Sequence, residues 1–215
     1  MDVYLSECII YLVFEYLDCD LRAFLSRTKK TSKELQKSFF KQILKAVAYC
    51  HSHCVIHRDI KPENILVSSE RIIKLADFGL SRTFEIPKRT YSPEVASLWY
   101  RSIEILLSDG EYSAAADIWS VGCVFVELCG HDALFPGKRS MDQIFIIVQK
   151  LGTKNIKLLH LPSFVSHLPD FPSPSGRIVK GMNEVENDLL LRMLQYDVKE
   201  RITAGQALRH QYFDS

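Results

Sequence analysis

The chain has 215 residues, in which 27 lysine and arginine residues nearly balance 26 aspartate and glutamate residues, for a formal net charge of +1. A charge this close to zero argues against a basic module that binds nucleic acid or a membrane surface. Hydrophobic residues make up 47% of the chain, a value typical of a folded globular domain and not of a disordered one.

The first part of the chain predicts one strand followed by a long helix. Residues 9–17 are dense in β-branched and aromatic side chains, which predicts a buried strand. A capping box at Thr31 and Glu34 predicts the start of the helix. The apolar residues after it recur at steps of three or four and form one stripe: Leu35, Phe39, Ile43, Val47, Cys50 and Cys54.

Two short strands are predicted next, over residues 64–67 and 72–75, where apolar residues flank a polar turn. The stretch from Gly79 to about Glu94 has no periodicity and predicts a long loop. Long loops inside a compact domain usually serve a function.

The rest of the chain predicts helices. Residues 113–128 are apolar all round, which indicates a buried helix, and residues 140–151 predict a helix with a capping box that begins at Ser140. Two further helices are predicted near residues 184–195 and 203–210. The fold class is therefore mainly α, with a few short strands near the front of the chain.

The six cysteines are scattered and lack the regular spacing of a secreted disulfide scaffold. The chain begins without a basic segment that would indicate a signal peptide. The apolar run at residues 118–129 is too short to cross a bilayer and contains Glu127. We therefore expect reduced thiols, a location in the cytoplasm or nucleus, and no membrane partner.

The segment CHSHC, residues 50–54, offers thiolate and imidazole groups at the tight spacing of a zinc site. A structural interpretation is favoured, because Cys50 and Cys54 fall on the apolar stripe of the helix while His51 and His53 point elsewhere.

Two motifs carry the chemistry. The tract HRDIKPEN, residues 57–64, lies between the long helix and the first short strand, and Asp77-Phe78-Gly79 follows the second strand. Together they resemble the catalytic loop and the metal-binding turn of eukaryotic protein kinases, so the resemblance implies an α+β protein-kinase-like fold.

The resemblance implies a role for each residue of the two motifs. Asp59 would accept or orient the proton of the substrate hydroxyl, and Lys61 would reach the γ-phosphate of ATP. Asn64 and Asp77 would supply oxygen ligands for Mg²⁺. Gly79 would permit the backbone turn that aims Asp77.

A second set of residues resembles the nucleotide-binding hinge of the same family. The main chain from Glu15 to Leu17 would hydrogen-bond adenine, with Phe14 at the gate of the pocket and Leu66 beneath the ring.

Residues 89–101 resemble the activation segment of cyclin-dependent kinases, and residues 135–137 and 142–153 support the same resemblance. It implies a Ser/Thr kinase that prefers proline after the phosphorylated residue, with a cyclin as a partner. Ser92 would be the activating phosphosite, with Arg58 and Arg82 as partners of its phosphate. The alternative for Ser92 is an unmodified loop serine.

Three further residues have structural roles by resemblance. Asp117 would tie its helix to the backbone of the catalytic loop, and Glu104 would form a buried ion pair with Arg201. Residues 102–104 read Ser-Ile-Glu where the family usually has Ala-Pro-Glu, which loosens a turn but keeps the carboxylate.

The chain departs from the family in its small lobe. Its first glycine is Gly79, so no glycine-rich phosphate loop precedes the catalytic tract. The family also carries a lysine on a strand of the small lobe, ahead of the hinge. The first lysine here is Lys29, after the presumed hinge, so that lysine is not present either. Residues 1–18 are therefore interpreted as a remnant of the small lobe and hinge, and residues 19–215 as the large lobe.

Three hypotheses remain open at this point. The favoured one is a truncated cyclin-dependent-kinase-like enzyme that uses ATP and Mg²⁺. The second is a catalytically impaired kinase that acts as a binding or scaffold protein. The third is a non-functional fragment, in which the front strand would lack most of its sheet and the exposed apolar surface would make the chain poorly soluble.

Overall fold

A computed structural model describes residues 2–6, 9–28, 31–83, 98–107, 112–154, 156 and 168–214, with residues 82 and 83 described by their backbone alone. The described strands are β1 (Asp2–Ser6), β2 (Ile9–Val13), β3 (Cys19–Asp20), β4 (Val55–Ile56), β5 (Ile65–Val67), β6 (Ile73–Leu75) and β7 (Arg82–Thr83). The described helices are α1 (Leu21–Arg27), α2 (Lys33–Ser52), α3 (Ile103–Leu107), α4 (Ala114–Leu128), α5 (Ser140–Leu151), α6 (Glu184–Met193) and α7 (Ala204–Ala207).

The front of the chain forms an antiparallel hairpin of β1 and β2, with Leu5 opposite Ile10 and Tyr4 opposite Tyr11. The prediction of a buried strand over residues 9–17 is wrong in two respects. The strand ends at Val13, and every residue of both strands is exposed. Within the described residues, β1 and β2 form a sheet of their own, so their apolar side chains face solvent on both sides.

Helix α2 begins one residue later than the predicted capping box. Ser32, and not Thr31, is the N-cap, and its hydroxyl accepts the Leu35 N–H at 3.3 Å. The predicted stripe is buried at Phe39, Ile43 and Val47. Cys54 does not belong to the stripe, because the helix ends at Ser52 and Cys54 lies beyond it, exposed and in the left-handed region at φ 58°.

The buried helix predicted at residues 113–128 is confirmed as α4, which packs against α2 and α6. Trp119 and Phe125 on α4 are both fully buried, and the Phe125 ring stacks on Phe40 of α2 with 4.3 Å between ring centroids. This apolar core fixes α4 against α2.

Helix α5 is present where predicted, but its predicted cap is wrong. Ser140 is already the first helical residue, and Arg139 precedes it without a side-chain cap. The Gln143 amide oxygen instead accepts the Gly137 N–H at 2.9 Å, which fixes the turn before the helix. The two last helices are shorter than predicted, and each begins with a capping box, at Asn183 and at Thr203.

Strands β5 and β6 confirm the two predicted short strands and pair antiparallel, with Ile65 opposite Leu75. β3 joins this sheet on the other side of β5, and β4 pairs with β7. These pairings bring the segments after β4 and after β6 together on one side of the helices. None of the described helices is long and apolar enough to cross a membrane.

Candidate active site

Asp59 lies at the centre of the loop between β4 and β5, and 8% of its side chain is exposed. The Lys61 ammonium contacts Asp59 Oδ2 at 2.7 Å. The Asn64 side-chain amide donates to the same oxygen at 2.9 Å and to the Asp59 carbonyl at 2.8 Å. Two neighbours from the same tract therefore fix the direction of this carboxylate before any substrate binds.

This arrangement suits the chemistry of a hydroxyl group that must lose a proton next to negative charge. A carboxylate held by hydrogen bonds can accept or orient a proton without first having to reorganise. The Lys61 ammonium places a positive charge within 2.7 Å of the carboxylate, where it can stabilise charge on a transferring group.

Asp77 and Asn64 are neighbours through the backbone, because the Ala76 N–H donates to the Asn64 carbonyl at 2.9 Å. Asp77 itself is in the left-handed region, with φ 61° and ψ 70°, and its carboxylate accepts the Gly79 N–H at 3.3 Å. The predicted role of Gly79 is therefore corrected, because the unusual backbone conformation is that of Asp77. A Cβ at Gly79 would lie 3.1 Å from Asp77 Oδ1, so glycine leaves room for the carboxylate.

The Asp77 carboxylate is exposed, whereas the Asn64 side chain is buried among loop contacts. Asn64 uses its amide nitrogen for Asp59, which leaves its amide oxygen as the atom that can ligate a cation. A carboxylate and an amide oxygen are a donor set that fits magnesium, which takes few protein ligands and completes its shell with phosphate oxygens and water.

Asp117 in the first turn of α4 anchors the front of the loop. Its carboxylate is 2% exposed and accepts the His57 N–H at 2.9 Å and the Arg58 N–H at 2.8 Å. The His51 imidazole contacts the same carboxylate at 2.9 Å. The structure thus places Asp117 where the resemblance placed it, between its helix and the backbone of the loop.

The Arg58 guanidinium lies over the Tyr112 ring, with 4.1 Å between its carbon atom and the ring centroid. Burial raises the pKa of the Tyr112 hydroxyl, and nearby Arg101 and Arg58 oppose that rise. Ser92 lies outside the described residues, and Arg82 is described only by its backbone in β7. The phosphosite and its pocket therefore stay a prediction.

The segment that resembles the hinge runs between β2 and β3. Glu15 pairs with Lys74 of β6 at 2.6 Å, and Asp18 accepts the Ser69 N–H at 2.5 Å from the β5–β6 turn. Leu17 and Leu66 are both half-buried, and Leu66 lies opposite Asp20 in the sheet. The structure thus brings the hinge segment and the β5–β6 hairpin together.

Glu104 and Arg201 lie away from the loop and form an ion pair, with Arg201 Nη1 2.7 Å from Glu104 Oε1. Neither side chain has a hydrogen bond to Asp59, Lys61 or Asn64 among the contacts of the described residues. The carbonyl of Ala115, which accepts the Arg201 Nη1 hydrogen at 2.8 Å, connects this pair to the start of α4 and so to Asp117.

Arg22 on α1 was not identified from the sequence. Its guanidinium contacts Glu63 of the catalytic tract at 2.9 Å, and it also binds Glu127 and the Tyr100 hydroxyl. Burial opposes the Arg22 charge, but the hydrogen bonds to Glu63 and Glu127 outweigh it and raise its pKa. The sequence does indicate that Glu127 has a positively charged or hydrogen-bonding partner, because a carboxylate inside an apolar helix needs one. Only the fold identifies that partner.

Within the parts of the chain that the structure describes, no three His, Cys, Asp or Glu side chains gather as a metal site. In the CHSHC segment, His51 contacts Asp117 and Cys54 lies beyond the helix. Asn64 and Asp77 as joint ligands of one Mg²⁺ ion stay a prediction.

Comparison with known proteins agrees with the motifs. A family model described as the protein kinase domain matches residues 1–213 of the chain.

Proposed function

The chain belongs to the protein kinase domain family, and from that membership we propose that it is a cyclin-dependent-kinase-like serine/threonine kinase. It transfers the γ-phosphate of ATP to serine or threonine residues that precede proline. The observation that carries the proposal is the Asp59 carboxylate, held by Lys61 and Asn64 within 2.9 Å.

The residues of the site divide the work as follows. Asp59 accepts or orients the proton of the substrate hydroxyl, and Lys61 contacts the γ-phosphate and stabilises its charge. Asn64 and Asp77 would hold Mg²⁺ through their side-chain oxygens, and the bound ion would neutralise charge on the phosphate groups. The Gly79 N–H at 3.3 Å keeps the Asp77 carboxylate turned toward its own backbone.

The nucleotide lies against the hinge segment in this proposal. The main chain of Glu15 and Leu17 hydrogen-bonds the adenine ring, and Leu66 packs beneath it. The pairing of Glu15 with Lys74 supports this arrangement, because it holds the hinge against the hairpin that carries Leu66.

Proline-directed specificity and a cyclin partner follow from the resemblance of two segments to cyclin-dependent kinases. A contact between them supports that resemblance, because the Trp99 indole donates to the Gly137 carbonyl at 2.9 Å. Ser92 is the proposed phosphosite, read by Arg58 and Arg82. Residues 1–18 are proposed as the small-lobe remnant and hinge, residues 19–215 as the large lobe, and the cytoplasm or nucleus as the location.

A radioactive phosphate-transfer assay with Ser-Pro and Ser-Ala peptides tests the proposal. The wild-type chain is compared with Asp59→Asn, and Asp132→Asn is the control for the same chemical change at an exposed position. We expect incorporation into the Ser-Pro peptide that Asp59→Asn abolishes and Asp132→Asn retains. Equal signals from the wild type and Asp59→Asn would show that the chain has no intrinsic activity.

A second candidate function is a catalytically impaired kinase that acts as a binding or scaffold protein. The observation that favours it is the hairpin of β1 and β2, whose apolar side chains are all exposed and could contact a partner protein. Titration calorimetry separates the two. Peptide binding without measurable affinity for Mg-ATP supports the scaffold, whereas Mg-ATP binding that requires Asp77 supports the enzyme.

A further inference from the structure

The two histidines of the CHSHC segment differ in their surroundings, although one residue separates them. The His51 side chain is 14% exposed and faces α4, whereas His53 is exposed beyond the end of α2. Among the residues that the structure describes, the His53 imidazole contacts its own turn, through the Tyr49 carbonyl and the Ser52 hydroxyl. His51 is therefore the member of the segment that reaches the site.

The Nε2 atom of His51 lies 2.9 Å from Asp117 Oδ2. An ionised carboxylate only accepts hydrogen bonds, so His51 donates through Nε2. The same oxygen accepts the His57 N–H, and the other oxygen of Asp117 accepts the Arg58 N–H. His51 thus shares one carboxylate with two consecutive backbone groups of the loop.

The contact between His51 and Asp117 matters because Asp117 also holds the backbone at Arg58, which has an unusual conformation. Arg58 has φ 74°, a left-handed conformation that residues with a side chain rarely adopt. Contacts from outside the loop must hold such a conformation, and the Asp117 carboxylate supplies one of them. Asp59 is the next residue, so the direction of its carboxylate depends on the turn at Arg58.

The neighbouring hydrogen bonds extend the same set of contacts. The His57 imidazole donates through Nε2 to the Ala76 carbonyl at 2.9 Å and accepts the Asp59 N–H through Nδ1 at 3.3 Å. The backbone position of His57 therefore affects both Asp59 and the residue before Asp77. A carboxylate that loses one of its three donors can rotate, and these backbone positions would follow it.

We propose that His51 is a positioning residue, which orients the Asp117 carboxylate and through it the left-handed turn that presents Asp59. The proposal rests on the proposed function for its effect on catalysis. Its structural part stands separately, because it concerns the hydrogen bonds of the His57 and Arg58 backbone.

Hydrogen–deuterium exchange resolved to single residues tests the structural part. His51→Met keeps the length of the side chain but cannot donate, and His51→Gln keeps a donor near the position of Nε2. We expect His51→Met to accelerate exchange at the His57 and Arg58 amides by at least about tenfold, the effect of losing one charge-assisted hydrogen bond. His51→Gln should restore most of the protection, and His53→Met should change nothing.

Exchange in the centre of α4, at Val121–Val126, serves as the internal reference. If His51 positions the loop, exchange becomes faster at His57 and Arg58 and stays unchanged in the centre of α4. If His51 only stabilised the fold as a whole, exchange would become faster in both places. The proposal is overturned if His51→Met leaves the two loop amides unaffected, if His51→Gln fails to restore them, or if His53→Met has the same effect.

A second measurement uses the unmodified chain, in case His51→Met does not fold. In ¹⁵N-histidine-labelled protein, His51 should show a slowly exchanging Nε2–H resonance that is absent from His51→Gln. Rapid exchange of that proton overturns the proposal.

Where the chain transfers phosphate, His51→Met should lower kcat and leave the KM for ATP unchanged. A chain that transfers no phosphate refutes the proposed function, and the exchange data still decide the role of His51.

Discussion

The guanidinium of Arg201 binds both carboxylate oxygens of Glu104, with Nη1–Oε1 at 2.7 Å and Nη2–Oε2 at 2.9 Å. The Arg201 side chain is fully buried, and 17% of the Glu104 side chain is exposed. Arg201 also donates to the carbonyls of Ala115 and Gln195. One side chain therefore connects α3, the start of α4 and the segment just after α6.

Removal of this guanidinium should destabilise the chain strongly. Arg201→Met leaves the Glu104 carboxylate without its partner in a largely buried position, and we expect a loss of about 3–5 kcal/mol in the free energy of unfolding. Urea unfolding followed by circular dichroism measures it. Lys199→Met, two residues away and exposed, is the control and should stay within about 0.5 kcal/mol of the wild type. Wild-type stability of Arg201→Met would contradict the role of the pair.

The Asp77 carboxylate should be required for Mg²⁺-dependent nucleotide binding. Asp77→Asn removes the charge, and asparagine tolerates the left-handed conformation at φ 61°. We therefore expect Mg-ATP affinity to fall at least roughly tenfold while the unfolding midpoint stays unchanged. Calorimetric titration with and without Mg²⁺ measures the first and thermal unfolding the second. Equal affinity of the variant and the wild type would remove Asp77 from the proposed metal site.

Stability should fall in alkaline solution. Burial raises the pKa of the Cys129 thiol from 9.0 to about 12 and that of Cys123 further. Between these values the unfolded chain loses thiol protons that the folded chain keeps, so the free energy of unfolding decreases as pH rises from about 9 to about 12. Urea unfolding under reducing conditions from about pH 8 to pH 11 measures the slope.

The share of Cys129 in that slope can be isolated by substitution. Cys129→Ala should make the decrease shallower, because it removes one group with a raised pKa. Cys54→Ala is the matched control, since Cys54 is exposed, and it should retain the wild-type slope. The same slope in all three proteins would show that other groups cause the alkaline loss.

The exposed hairpin should cause self-association. Leu5 and Ile10 lie opposite each other across β1 and β2, and both are exposed by more than half. We expect the pair Leu5→Lys and Ile10→Glu, whose charges attract across the strands, to raise the concentration at which light scattering begins several-fold. Met141→Lys with Val198→Glu adds the same charges elsewhere on the surface. An equal gain in that control would indicate a general effect of charge.

Much of the helical part of the fold could be predicted from the sequence, because its signals are local. The uniform apolar character of residues 113–128 predicted the buried helix α4, and the stripe through Phe39 and Ile43 predicted the buried face of α2. Asp59 and Asn64 could be placed near each other because they are only five residues apart and a short strand follows them.

The features that sequence reasoning missed depend on neighbours from distant segments. Residues 9–17 have the composition of a buried strand, yet burial depends on a covering element, and composition carries no information about that element. The left-handed residue of the turn at 77–79 could not be read from the presence of a glycine. The partner of Glu127 is Arg22, 105 residues away, and only the packing of α1 against the loop brings them together.

Two contacts, Glu15 with Lys74 and Asp18 with Ser69, have a mechanical consequence. Both fasten residues 15–18 to the hairpin that carries Leu66. In the proposed site these are one wall and the floor of the adenine pocket, so the two contacts hold wall and floor at a set distance from each other. A swing of the β1–β2 hairpin would pivot ahead of Glu15, at Phe14, and would leave the width of the pocket unchanged.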